Sequence, residues 1–94
     1  MSDSELELET VLRNWSLSDA DRERLMEIAR SDMRAKRQLL DISRLLEVLL
    51  PIENARGWVH RENKLFDNKP ALAVMCREGA LGIERVFKYL MASM

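Results

Sequence analysis

No proline and no glycine occurs in the first fifty residues; Pro51 is the first of either, and only three glycines and two prolines occur in all 94 positions. β-Branched residues are sparse over the same stretch. Nothing there breaks a helix or favours a sheet, so the first half is expected to be helical, interrupted only where polar residues cap one helix and start the next. Ser4 is read as the cap of a helix over about 5–14 carrying Leu6, Leu8, Val11 and Leu12, with Glu5 and Glu7 beside its positive end. Trp15 packs over the end of that helix. Ser18 followed by Asp21 resembles a capping box, opening a second helix over about 19–30 with Leu25, Met26, Ile28 and Ala29 on one face. A single helix from 19 to 50 would run about 48 Å, long for so short a chain. A break is therefore placed near residue 31, where Ser31 and Asp32 offer a cap.

The helix over about 32–50 carries the widest apolar face. Ala35, Leu39, Ile42, Leu46 and Leu49 alternate at spacings of four and three, flanked by Leu40, Leu45, Val48 and Leu50, while Arg34, Arg37, Asp41 and Arg44 line the other side. So wide a stripe needs neighbours on more than one flank, which makes this the central helix. Pro51 ends it. Beyond it the pattern gives a short helix over about 52–60 with Ala55 and Trp58 on one side, a loop over 61–69, and a helix over about 70–77. Pro70 is placed at the first position of that helix, and Gly79 closes it. A last helix over about 81–92 carries Ile83, Val86, Phe87, Leu90 and Met91. The expected fold is all-α, a small single-domain bundle of about five to six helices with one irregular loop. No segment carries a strong strand pattern.

Composition bounds the function. The chain is 47% apolar and 33% charged with a net charge of −1, which gives no global attraction to nucleic acid or anionic membranes. No apolar run approaches the roughly 20 residues that span a bilayer, and "MSDSELELET" lacks the basic flank and apolar stretch of a secretory signal. A cytoplasmic protein is expected. His60 is the sole histidine and Cys76 the sole cysteine, so two-histidine metal motifs and disulfides cannot be built. A Cys76–His60 nucleophile and base pair is set against an inert thiol within "ALAVMC", and the second reading is preferred. No catalytic, cofactor or metal residue is assigned. Helices over 5–14 and 19–30, with Arg22, Arg24, Arg30, Arg34, Lys36 and Arg37 following one another, suggest a small DNA-binding regulator as the alternative function. Asp19, Asp21, Glu23 and Glu27 would repel phosphate there, so DNA binding by this chain alone is not expected.

The stretch "NARGWVHRENKLFDNKPALAVMCREGALGIERVFKYL", residues 54–90, resembles the toxin-binding domain of the Xre/MbcA/ParS family of antitoxins. Ala55, Trp58, Asn63, Asp67-Asn68, Pro70, a glycine that is either Gly79 or Gly82, Val86 and Leu90 carry the resemblance. It implies a non-enzymatic domain over 31–94 that binds a protein toxin, usually of the RES class that consumes NAD, and covers its active-site entrance with the C-terminal region. Residues 1–30 are then an N-terminal helical extension where such antitoxins usually carry a larger DNA-binding domain, so that repression is either lost or supplied by another protein. The residues expected to meet the partner are Trp58, Asn63, Lys64, Phe66, Pro70, Gly79, Gly82, Tyr89, Met91 and Met94. Aromatic and basic side chains beside a short loop, with a methionine-rich end, suit an interface; for Met75, Met91 and Met94 an adaptable surface is set against gap-filling in the core, and the second is the commoner use. The competing reading makes Trp58 and Phe66 lids that pin the loop on the core; it is preferred for Trp58, while for Phe66 the two readings stand level. Homodimerisation is a further expectation, because the acidic outer face of the first helix has few partners within one chain.

Overall fold

A computed structural model describes residues 3–94. Six α-helices follow in order among them: α1 (Asp3–Asn14), α2 (Asp19–Ser31), α3 (Met33–Leu49), α4 (Ile52–Gly57), α5 (Ala71–Glu78) and α6 (Ala80–Ala92). Between α4 and α5 the chain makes a 3-10 turn over Trp58–His60, a two-residue strand β1 (Glu62–Asn63), a second 3-10 turn over Lys64–Phe66 and a two-residue strand β2 (Lys69–Pro70). The fold is the expected small all-α bundle.

The caps explain the boundaries. Ser18 is extended and its Oγ accepts a hydrogen bond from Asp21 N at 3.2 Å, opening α2. Asp32 serves two helices at once: its N–H donates to Ile28 O at the end of α2, and its Oδ1 accepts from Arg34 N at 2.9 Å and Ala35 N at 3.2 Å at the start of α3. Its φ of −144° turns the chain, so the continuous apolar pattern is folded back as two helices. Ser4 lies inside α1, which already starts at Asp3.

α3 is central, packing against α6, α2, α1 and α4, while α5 packs against α6. Leu39, Ile42 and Leu46 of α3 are fully buried together with Leu8 and Leu12 of α1, Leu25 of α2, Met75 of α5 and Ile83 and Val86 of α6. Removing one such side chain from water stabilises the fold by about 1.5–3 kcal/mol. One continuous core thus includes α1 and α2 as well as the C-terminal helices. The radius of gyration of 12.1 Å is close to the roughly 12 Å of a well-packed chain this size.

Three apolar assignments are corrected. Leu6, Val48 and Met91 are exposed rather than core, because each sits at the margin of its helical stripe. Met75, by contrast, is in the core, the commoner use of methionine. Pro70 is the residue before α5, not its first: with ψ of 150° it is still extended and is paired with Glu62.

Candidate partner-binding surface

The loop over 61–69 is held by its own hydrogen bonds. Asn63 Oδ1 accepts from Leu65 N at 2.9 Å, Asp67 N donates to Lys64 O, and Asn68 N donates to Asn63 O at 3.0 Å. Asp67 and Asn68 take left-handed conformations with φ of 57° and 63°, which Asp and Asn tolerate better than other non-glycine residues. The antiparallel pairing of Glu62 with Pro70 and Asn63 with Lys69 closes the loop at its base. A periodicity reading finds no strand in two residues, so this ladder was not foreseen.

Three aromatic rings brace the loop against α6. Tyr89 stacks on Trp58 with ring centroids 6.1 Å apart and planes 15° apart, and meets Phe66 edge-on at 5.4 Å. The Arg85 guanidinium lies 5.9 Å from the Phe66 centroid and pairs with Glu78. Such contacts contribute about 0.5–1.5 kcal/mol each beyond burial. Phe66 is 4% exposed, while Trp58 and Tyr89 are half-buried. Phe66 is therefore a lid on the core, and its neighbour Leu65, 67% exposed, is the apolar side chain the loop presents. Leu65 and Arg85 were not foreseen. The pair Leu65-Phe66 signals one inward and one outward residue, but only the loop conformation decides which.

The remaining candidates divide by exposure. Lys64, Met91 and Met94 are exposed, and Asn63 and Pro70 are partly so. Gly79 and Gly82 are buried and can act on a partner only by shaping the helices. Gly79, with φ of 66° and ψ of −134°, joins α5 to α6 without a linker, a conformation open essentially to glycine alone. A Cβ on Gly82 would lie 2.3 Å from Val74 O, so this glycine lets α6 cross closely over α5. Sequence spacing left the two glycines as rivals for one role; the structure uses each for a different one.

His60 and Cys76 both line a hollow of about 210 Å³ with Asp21, Pro70, Leu72 and Ala73. They are engaged elsewhere. His60 Nε2 is hydrogen-bonded to Trp15 O, and the Cys76 thiol faces Asp21 Oδ1 at 3.9 Å. Burial, reinforced by the negative Asp21 and opposed by Arg24, pushes the thiol up from about 9 to about 11, so it stays protonated and poorly nucleophilic at neutral pH. Arg24 Nε donates to Cys76 O at 3.0 Å and ties α2 to the end of α5. Among the described residues no group of three or more His, Cys, Asp or Glu is placed to hold a metal ion, and no helix is long and apolar enough to cross a membrane.

What the geometry defines is a small all-helical domain presenting a braced, partly apolar loop beside the end of its last helix. Comparison with protein-family models found no match, and comparison with curated proteins and with solved structures found no significant one.

Proposed function

We propose that this chain is an antitoxin-like interaction module that binds and neutralises a RES-type, NAD-consuming toxin, covering the entrance to its active site with the loop over 61–69 and the end of α6. The observation that carries this reading is the braced loop itself: its shape is held by Asn63, Asp67, Asn68 and the Trp58–Tyr89–Phe66 cluster, yet it leaves Leu65 exposed beside Lys64. A preorganised loop loses little entropy on docking, so its apolar contact is retained as affinity. The sequence resemblance over residues 54–90 supplies the partner class.

The test is co-purification with a RES-type enzyme, followed by NAD turnover on mixing. Turnover is expected to fall stoichiometrically. Full activity in excess of this chain overturns the reading. Leu65→Asp is expected to weaken the complex by about 2 kcal/mol or more with an unchanged circular dichroism spectrum. The DNA-binding alternative is opposed by the start of α2, where the Asp19 side chain is fully exposed and would face phosphate.

A further inference from the structure

A groove runs between α1 and α3. Its two parts, of about 590 and 330 Å³, share Leu40 and Arg44. Ser4 lies with Met33 at one end and Asn14 with Glu47 at the other, so the two helices run in the same direction. Three of the eight large apolar side chains exposed among the described residues line this groove or the hollow that adjoins it: Met33 at the first end, Leu6 on the α1 wall and Ile52 at the far end; a fourth, Val48, follows Arg44 by one turn of α3.

The charges along the groove are ordered. In the middle, Arg44 is paired with Glu7 at 3.0 Å and Asp41 at 3.2 Å. The first end carries Asp3, Lys36 and Arg37, and the far end carries Glu47 and Arg56. Among the described residues neither Arg37 nor Glu47 is in an ion pair, and both are exposed. They are separated by about 15 Å along α3, one on each side of Ile42. A second copy laid antiparallel across the groove, about a two-fold axis at the height of residue 42 but on the groove side of α3, brings Arg37 toward the other copy's Glu47. It also brings the Asp3 end toward Arg56, and Met33 between Val48 and Ile52. The same operation sets positive helix starts beside negative helix ends. A parallel arrangement would instead place like charges together.

We propose that the α1–α3 groove is a self-complementary dimer interface whose occupant is a second copy of this chain, arranged antiparallel. An isologous contact of this kind needs the same patch on both subunits to complement itself, and the groove does so in charge and in the placement of its apolar side chains. It uses none of residues 58–94, so the dimer leaves the loop surface free.

Sedimentation equilibrium of the full chain over a concentration series tests this. A species of twice the 11.0 kDa chain mass is expected. Arg37→Glu and Glu47→Arg, at exposed positions that leave the helical spectrum intact, are each expected to weaken the dimer about tenfold or more, since like charges are then juxtaposed. The double variant R37E/E47R is expected to regain the wild-type dissociation constant, because the pair is restored with its signs exchanged. Met33→Asp should also weaken it. A chain that stays monomeric up to about 1 mM, the weak end of specific association, overturns the proposal. So does a dimer indifferent to both single charge reversals, or one that the double variant fails to restore.

Discussion

At residue scale the most demanding position is Gly82. A methyl group there meets the backbone carbonyl of Val74 at 2.3 Å, and a backbone atom inside a helix cannot step aside as a flexible side chain would. Gly82→Ala is expected to destabilise the fold by about 2–3 kcal/mol, measured as a lower urea midpoint at unchanged slope. Cys76 gives a prediction of opposite kind. Because burial raises its thiol to about 11, the folded state holds a proton that the unfolded chain has already released at lower pH. The thiol's contribution to stability is therefore complete below about pH 9 and is lost as pH rises toward 11. Comparison of wild type with Cys76→Ala across that window should show the extra decline only in the wild type. Below it, iodoacetamide should label Cys76 more slowly in the folded than in the unfolded chain.

At the scale of elements, the turns carry as much information as the helices. Asp32 ends α2 and starts α3 with four hydrogen bonds, two of them through its side chain, and Asp32→Ala is expected to cost about 1–2 kcal/mol, read from thermal melts by circular dichroism. The loop over 61–69 depends on Asn68 at φ of 63°. Asn68→Val should cost about 1–2 kcal/mol because its branched side chain resists the left-handed region, whereas Asn68→Gly should be nearly neutral. Capping was legible beforehand at Ser18 and Asp32, since a short polar acceptor ahead of an apolar stripe satisfies free N–H groups whatever surrounds it. Pro70 was misplaced by one residue. Its ring restricts φ but not ψ, and the pairing of β2 with β1 keeps ψ extended.

At the scale of the molecule, α3 can be central because its apolar face is wide enough to receive α1, α2, α4 and α6 on several flanks. Tyr89 couples two regions distant in sequence, since it touches both Trp58 and Phe66. Tyr89→Ala is expected to raise amide exchange across 61–69 by about tenfold while leaving α2 and α3 protected, as the loss of one aromatic bridge loosens the loop locally rather than globally. Hydrogen-exchange mass spectrometry reads this directly. Similar loosening of α2 and α3 would show that Tyr89 supports the whole core instead.

The sequence by itself determined the helices, their order and the central place of α3, because backbone hydrogen bonds, caps and apolar periodicity act within a few residues of one another. It also marked residues 57–75 as unlike the rest. Only the tertiary structure decided that Phe66 turns inward and Leu65 outward, that Leu6, Met33, Val48 and Ile52 remain uncovered, and that Gly79 and Gly82 serve separate ends. Those outcomes depend on which element lies across each side chain, and packing partners brought together by folding leave no periodic trace in the chain that carries them.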